Sequence, residues 1–285
     1  MIVSVKGTLY RYCNGDGVKR NEDIEEETVK LIKERIESRK VKRRKDEEHY
    51  EVLEEVFDRA TLLALYDLVN KGYIERIYGV VATGKEARIY WAEDPSGNDI
   101  ALKIFLIVTA EFWKRRKRYI DGDPRFVRIR RSRRHLIKAW CSKEFKNLKL
   151  AYEAGVRVPK PIVFKENVLV MEFINAPGER GVPAPLLKDA PPTDPHTAFE
   201  VIMDYVEKLY KNAKLVHADL SEYNILNREP EFVIIDWGSA VLLAHPNAHE
   251  FLMRDISNVT NYFKRLGVDV PDPKEIYSSL VSEHH

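Results

Sequence analysis

The sequence predicts an α+β fold of two lobes, with extra helices before them. Apolar residues recur at helical spacing up to Lys71-Gly72, the period then changes to the alternation of strands, and helical spacing returns after about residue 197. The 285 residues are 44% hydrophobic, enough to bury a large core. No apolar run approaches the ~18 residues of a membrane span, the start Met1-Ile2-Val3 lacks the order of a signal peptide, and Cys13 and Cys141 have no metal-ligand spacing. We therefore expect a cytoplasmic protein in a reducing compartment.

Changes of period and composition divide the chain into four predicted regions. An N-terminal extension with helices covers 1–70. A lobe built of a sheet and a helix follows at 71–174, with a basic insertion at 106–138. A Pro-rich connection with six prolines, 175–196, leads to a helical lobe at 197–285.

Three apolar stripes predict the N-terminal helices. The first stripe is weak, and the third is the most regular, with apolar residues at i, i+3, i+4 and i+7 before the stop at Lys71-Gly72. The stripes are Val29, Ile32 and Ile36; Val52, Leu53, Val56 and Phe57; and Leu62, Leu65, Tyr66 and Val69.

Five short apolar runs in the second region predict strands, three before the basic insertion and two after it. They cover 77–82, 87–92, 100–105, 162–164 and 168–172. A helix from about 139 to 154, ended by Gly155, precedes the last two strands. In the final region, helical spacing begins with Phe199, and a last helix is predicted at about 248–266.

The most informative motif is His217-x-Asp219 followed by Asn224, with Asp236 twelve residues further on. These polar residues lie at the ends of apolar runs, which favours a site over a solvated turn. The spacing is typical of a phosphoryl-transfer loop, in which one Asp positions or deprotonates the nucleophile. An amide and a second Asp then hold the metal ions that bridge ATP phosphates. Because Asp and Asn are common in turns, a turn without function is the alternative.

Lys103 lies inside the third predicted strand, within Ala-Leu-Lys-Ile. In the similar kinase pattern V-A-I-K the ammonium pairs with ATP phosphates, and burying it without a partner is costly. Glu144 is the predicted partner, because on a helix it shares a face with Trp140, Leu148 and Ala151. An ordinary surface charge is the alternative for Glu144. These features together predict a protein-kinase-like fold. Its helical lobe is trimmed of peptide-docking subdomains, since only 49 residues follow the second Asp of the motif.

A competing motif, the P-loop pattern G-x-x-x-x-G-K, spans residues 79–85. Its eighth position needs Ser or Thr to bind magnesium, but Glu86 stands there. The residues that follow have the pattern of a strand, whereas a P-loop leads into a helix. We therefore interpret Thr83, Gly84, Lys85 and Glu86 as a hairpin turn that closes over phosphates.

The segment 114–138 carries twelve Lys or Arg and two Asp, a net charge of about +10 in a chain whose total is +2. Aromatic residues interleave with these charges, which favours contact with a polyanion or with phosphate groups. A mobile flap near the ATP site and a solvated surface are the alternatives. A second basic run, 39–45, lies between acidic stretches and is equally compatible with solvated surface.

In these residues the chain resembles the RIO family of atypical protein kinases and is most similar to the archaeal type of its Rio-one branch. The resemblance is carried by Thr83-Gly84-Lys85-Glu86-Ala87, by Val216-His217-Ala218-Asp219-Leu220-Ser221-Glu222-Tyr223-Asn224, and by His245-Pro246-Asn247-Ala248-His249-Glu250-Phe251-Leu252. It extends over about residues 47–266.

The resemblance implies that ATP and Mg²⁺ or Mn²⁺ bind between the two lobes. It makes Asp219 the catalytic acid and makes Asn224 and Asp236 the metal ligands. Asp236 can also accept the phosphoryl group itself during an ATPase cycle. Lys103, paired with Glu144, contacts the phosphates.

The resemblance further implies how the rest of the nucleotide is bound. The turn 83–86 covers the phosphates. Met171 takes the gatekeeper position, with core packing as its alternative role. Glu172 and Ile174 offer backbone groups to adenine.

Departures from ordinary kinases change the expected function. Ala218 replaces the Arg that receives an activation-loop phosphate, no A-P-E motif follows Asp236, and Gly238 stands where Ser is typical of the branch. We expect an ATP-dependent serine/threonine kinase and ATPase in small ribosomal subunit maturation. Hydrolysis would switch its association with the subunit precursor and its rRNA, and the phosphorylation substrate would be the protein itself or a partner. The alternatives are a conventional protein-substrate serine kinase and, with less support, a small-molecule phosphotransferase of the aminoglycoside or choline type.

Overall fold

The computed structural model describes residues 2–5, 8–11, 58–106, 110–126 and 132–282. Contacts divide the chain into two compact units, Met1–Gly79 with Ala92–Asn98, and Val80–Trp91 with Asp99–His285. All predicted site residues belong to the second unit. The first two N-terminal apolar stripes and the basic run 39–45 lie outside the described residues.

The first unit contains a short antiparallel pair and one helix. Strand β1, Ile2–Val5, pairs with β2, Thr8–Arg11, which the sequence analysis did not predict. Helix α1, Arg59–Asn70, confirms the third apolar stripe. Asp58 caps it by accepting the N–H of Thr61 at 2.9 Å. The helix ends at Lys71-Gly72 as expected, because Gly72 adopts φ +76° there.

The five predicted strands form one sheet. Their order is β3-β4-β5-β7-β6, and β5 and β7 run antiparallel with Lys103 opposite Leu169. The strands are β3 Arg76–Thr83, β4 Ala87–Glu93, β5 Asp99–Phe105, β6 Pro161–Lys165 and β7 Val168–Glu172. The alternation of the sequence therefore located all five to within two residues at each end.

The basic insertion contains a helix that the sequence analysis missed. Helix α2, Ala110–Ile120, is followed by a 3₁₀ turn, Pro124–Phe126. Helix α3, Arg133–Glu153, begins after the N-cap Ser132, earlier than the predicted start at about residue 139. Its first six residues include Arg133, Arg134 and Lys138, and that composition concealed the helical spacing.

The Pro-rich connection is ordered and holds a small hairpin of β8, Asn175–Ala176, and β9, Glu179–Pro183. Leu186, further along the connection, makes an isolated bridge to Leu226. Gly181 has φ +80°, and a Cβ there would lie 2.7 Å from the ring of Trp91. This hairpin needs glycine at that position for both backbone conformation and space.

The remaining elements surround the catalytic motif. They are α4 Pro195–Lys208, a π-helical turn Leu209–Ala213, β10 Leu215–Val216, β11 Ile225–Arg228, β12 Glu231–Ile234, β13 Val241–Leu242, α5 Ala248–Arg265 and α6 Pro273–Ser282. Strand β10 pairs with β13, and β11 pairs with β12. The core includes Trp140, Phe251 and Phe263. Within the described part of the chain, no helix is long and apolar enough to span a bilayer.

Candidate active site

Lys103 joins two carboxylates that lie far from it in the sequence. Its Nζ donates to Oε1 of Glu144 at 2.6 Å and to Oδ1 of Asp236 at 2.8 Å. The side chains of Lys103 and Glu144 are 12% and 3% exposed, whereas that of Asp236 is 42% exposed. The cluster therefore has a buried end at Glu144 and a more open end at Asp236.

Charge and burial act in different directions on the three groups. Burial alone lowers the pKa of Lys103, but the charges of Asp236 and Glu144 raise it above its ordinary value. The positive charge of Lys103 lowers the pKa of Asp236 to about 2. Burial raises the pKa of Glu144 above its ordinary value, against the attraction of Lys103. At neutral pH the open end of the cluster is an ionised carboxylate beside an ammonium.

Helix α3 presents Glu144 to the cluster, as its helical face predicts. Trp140, Leu148 and Ala151 on the same face are all buried, so the surface-charge alternative for Glu144 is wrong. Its second oxygen, Oε2, is buried without a hydrogen-bond partner. A Cβ added to Gly238 would lie 3.1 Å from that oxygen and 2.9 Å from Nε1 of Trp140. Gly238 thus allows the chain after the metal-ligand candidate to pass close to α3.

Further polar residues of α3 hold the backbone that follows Asp236. Nζ of Lys143 donates to the carbonyl of Gly238 at 2.7 Å. Nδ2 of Asn147 donates to the carbonyls of Trp237 and Ala240 at 3.0 and 2.8 Å. Burial lowers the pKa of Lys143 to about 7. Sequence reasoning missed both residues, although polar side chains on the apolar face of a helix are the signal that could have found them.

The loop between β10 and β11 carries Asp219 and Asn224. The amide Nδ2 of Asn224 donates to the backbone carbonyl of Asp219 at 2.7 Å and lies 3.4 Å from its Oδ2. The carbonyl of Asn224 accepts the N–H of Ile235 at 2.9 Å, next to Asp236. The structure therefore brings the acid and the amide together, and a backbone bond joins Asn224 to Ile235, the residue before the second acid.

Helix α5 fixes this loop through an acid that sequence reasoning missed. The carboxylate of Asp255 accepts the N–H of Ala218 at 2.6 Å and that of Leu220 at 3.0 Å, on either side of Asp219. Arg254 donates to the carbonyl of Ala218 and Asn258 donates to that of Leu220 at 3.1 Å. Burial raises the pKa of Asp255 to about 7, although the two N–H donors oppose the shift. The loop is thus held on both sides of the candidate catalytic acid.

His217 is a structural member of the motif. Its buried Nε2 donates to the carbonyl of Ile235 at 3.0 Å, and its ring meets the ring edge of Trp237 at a centroid distance of 4.8 Å. Burial lowers its pKa below the ordinary value, so the ring is neutral at neutral pH. The imidazole therefore ties the loop to the segment around Asp236 without adding charge.

The turn 83–86 is exposed except at its last residue. The N–H of Gly84 donates to the carbonyl of Ala87 at 2.9 Å and closes the turn. The carboxylate of Glu86 accepts a bond from Arg116 of α2. Another nitrogen of Arg116 donates to Oγ of Ser239 at 2.6 Å. Arg116 was not predicted as a site residue, because its contacts are long-range and it lies in a run of similar charges.

The predicted adenine-binding residues lie at and after the end of β7. Met171 stands opposite Ala101 in the sheet and is partly buried. The carboxylate of Glu172 accepts two bonds from Arg157 at 2.9 Å, which fixes this residue by its side chain. The carbonyl of Ile174 accepts the N–H of Ala184 at 2.9 Å, and the predicted contact of Ile174 with a base therefore falls to its N–H.

The described part of the basic segment divides by burial. Arg116 and Arg125 are 18% and 17% exposed and are paired with Glu86 and Asp123. Other cations of the segment are exposed residues, namely Lys114, Lys117, Arg118, Arg133, Arg134 and Lys138. Arg116 is thus packed against the turn and Arg125 against α3, while most other described cations of the segment, including those at the start of α3, lie on the surface. Arg130 and Arg131 lie outside the described residues.

Comparison with known proteins identifies the family. The RIO domain matches residues 88–276. The chain is 43% identical over 241 residues to the RIO-type serine/threonine-protein kinase Rio1 of Haloferax volcanii, covering 85% of this chain and 81% of that one. Over 242 residues it is 41% identical to Rio1 of Methanocaldococcus jannaschii, with the same coverage.

A solved structure agrees in fold. It is the Rio2 kinase-ADP/Mg²⁺-phosphoaspartate complex of Chaetomium thermophilum, with a TM-score of 0.58 and 24% identity over 78% of this chain and 67% of that one. The α+β, kinase-like fold predicted from the sequence is therefore confirmed. The RIO domain match and the Rio1 relatives show that the chain belongs to the RIO family and is a Rio1-type serine/threonine protein kinase.

Proposed function

We propose that the chain binds ATP with Mg²⁺ or Mn²⁺ at the Lys103 cluster and transfers the terminal phosphoryl group. The observation that carries this proposal is the pairing of Lys103 with a buried Glu144 and an open Asp236. Glu144 fixes the ammonium of Lys103 from the buried side of the cluster. The ammonium is thereby held for phosphate oxygens that would approach from the side of Asp236. Asp219 is exposed in its loop, which supports its proposed role of positioning or deprotonating an acceptor hydroxyl.

The residues present fit a metal ion held mainly by phosphates. Asp236 is ionised and partly exposed, and Asn224 donates through Nδ2, which leaves its amide oxygen as a ligand. Among the described residues no group of three or more His, Cys, Asp or Glu is placed to hold a metal. That agrees with this class of site, because Mg²⁺ in kinases is usually held by one or two protein ligands together with phosphates. The metal, when bound, neutralises charge that develops on the phosphates.

Asp236 is also the proposed acceptor in an ATPase cycle. One carboxylate oxygen would attack the terminal phosphorus, the bond to ADP would break, and water would later release phosphate and regenerate the carboxylate. Its low pKa supports this role, since an ionised oxygen is the nucleophilic form. The Rio2 complex of similar fold is described as containing phosphoaspartate.

We further propose that the kinase acts in maturation of the small ribosomal subunit and that ATP hydrolysis switches its association with the precursor. The exposed cations at the start of α3 support contact with rRNA, because Arg133 and Arg134 lie on the surface, as does Lys138, which pairs with Glu166 at 2.6 Å. A conventional protein-substrate serine kinase is the alternative role. We do not propose a small-molecule phosphotransferase, because the Rio1 relatives are protein kinases.

Sedimentation and turnover together test the proposal. Wild type and Asp236→Ala are run in cell extract on a density gradient, and ATP turnover is measured with and without purified small-subunit precursor. We expect co-migration with the precursor, a changed distribution for Asp236→Ala, and stimulation of turnover by the particle. If neither protein co-migrates and only a protein substrate stimulates turnover, the conventional kinase role replaces the ribosomal one.

Replacing Arg133 and Arg134 with Ala, together with Arg130 and Arg131, tests the RNA contact. Binding to RNA should weaken and its salt dependence should fall, because fewer phosphates are neutralised. If the dependence of RNA affinity on salt concentration is unchanged, these cations do not contact RNA and form only a solvated surface.

A further inference from the structure

We propose that Arg116 is a positioning residue for phosphoryl transfer, holding the turn 83–86 and the segment after Asp236 in register with each other. This inference rests on the proposed ATP site and adds a residue to it. Arg116 lies 13 positions after Lys103 along the chain, on a helix of the basic segment.

The first contact of Arg116 is with the turn. Glu86 is the last residue of the turn, and its backbone carbonyl accepts the N–H of Leu106 at 2.9 Å, just beyond the strand that carries Lys103. The side chain of Glu86 takes no part in that backbone bond. Its carboxylate accepts a hydrogen bond from the guanidinium of Arg116. The turn is therefore anchored through its backbone at one side and through this ion pair at the other.

The second contact lies beyond Asp236. Arg116 donates to Oγ of Ser239, three residues after the metal-ligand candidate, at 2.6 Å. Its guanidinium also stacks over the ring of Trp140 at 5.2 Å from the centroid, and that ring abuts Gly238. One rigid fork thus bonds the two segments that would face the phosphates from different sides.

Because Arg116 is buried, its two contacts depend on each other. Arg116 is only 18% exposed, and a cation at that depth needs fixed partners. Displacing either partner would release the other, so the position of the turn is coupled to the position of Asp236. Small displacements of this kind are costly in catalysis, where about 1 Å can reduce the rate a hundredfold.

The same helix offers a matched control. Arg118 is two residues away, pairs with Glu250 at 3.2 Å and stacks on Phe251 at 4.7 Å. Its replacement removes the same charge and a comparable packing contact from α2. It touches neither the turn nor the segment after Asp236 in any bond of the described residues.

The test compares Arg116→Ala, Arg116→Lys, Glu86→Gln and Arg118→Ala by steady-state ATP turnover and thermal denaturation. Arg116→Ala should lower kcat about ten- to a hundredfold and raise KM for ATP severalfold. Arg116→Lys keeps the positive charge but not the two-pronged guanidinium. Relative to Arg116→Ala, it should therefore recover more of the melting temperature than of kcat. Arg118→Ala should lower the melting temperature alone.

A double-mutant cycle tests whether Arg116 acts on catalysis through its contact with Glu86. Arg116→Ala combined with Glu86→Gln should cost less than the sum of the single losses in kcat/KM, because both break one contact. If Arg116→Ala does not fold, Glu86→Gln and Arg116→Lys decide: wild-type kinetics in both overturns the inference. Lys103→Ala separates the two proposals, since its full activity would refute the ATP site itself. An inactive Lys103→Ala beside additive effects at Arg116 and Glu86 would refute the positioning role alone.

Discussion

Gly238→Ala is the most direct probe of how α3 and the candidate active site fit together. The added methyl carbon would lie 2.9 Å from Nε1 and 3.2 Å from Cε2 of Trp140, and 3.1 Å from Oε2 of Glu144. All three distances are shorter than an ordinary van der Waals contact. Trp140 is 2% exposed and lies under the guanidinium of Arg116, so it cannot easily move away. Overpacking of a well-filled core costs about 1–3 kcal/mol.

The expected effect of Gly238→Ala has a stability part and a functional part. At about 2–4 °C per kcal/mol, the melting temperature should fall by roughly 2 to 12 °C. KM for ATP should also rise, because displacing Glu144 removes the partner that fixes Lys103. Gly79→Ala is the control, since a Cβ there meets nothing within 4 Å. Unchanged stability and unchanged KM in Gly238→Ala would refute the close packing of α3 against this segment.

Three further predictions concern the catalytic loop. Asp219→Ala should abolish phosphoryl transfer while ATP affinity, measured by equilibrium binding, stays largely intact, because the residue acts on the transferring group; near-normal turnover would contradict its role. Asp255→Asn should cost about 1–3 kcal/mol in urea denaturation and lower kcat, since an amide can accept only one of the two flanking N–H bonds. Thr260→Val removes another buried bond of α5 and should leave kcat unchanged. The lowered pKa of His217 contributes stability that is present above its unfolded value of about 6.5 and is lost as pH falls below it. The stability difference between wild type and His217→Gln should therefore shrink between pH 8 and pH 5.5, and a constant difference would contradict burial of a neutral ring.

Much of the site followed from local sequence patterns. Lys103 stood out because an ammonium inside an apolar strand needs a partner, and the helical face of α3 indicated Glu144. The structure places the two within 2.6 Å. Asp219 and Asn224 are five residues apart in one loop, so their contact could be expected from their spacing in the sequence. The roles assigned to these residues in ATP chemistry remain predictions.

The missed residues share a physical reason. Arg116 contacts residues 30 and 123 positions away, and nothing in its neighbourhood distinguishes it from the adjacent Arg and Lys. Asp255 lies on an amphipathic helix, where an acid is usually solvated, and only tertiary packing shows that it faces the loop. The hairpin of β8 and β9 was concealed by proline and glycine, which are typical of loops. Long-range contacts of this kind leave no local period in a sequence.

The backbone at the two acids shows why these missed contacts matter. Ala218 and Asp236 have φ values of +64° and +65°, a region that costs an L-residue about 1–2 kcal/mol. Such conformations persist only where the surroundings hold them. Asp255 and Arg254 bond Ala218 from both its N–H and its carbonyl, and Lys103 holds the side chain of Asp236. Loss of a supporting bond should therefore relax the backbone at Asp236 or just before Asp219 before it unfolds the chain, which is why kcat is the sensitive readout for Asp255.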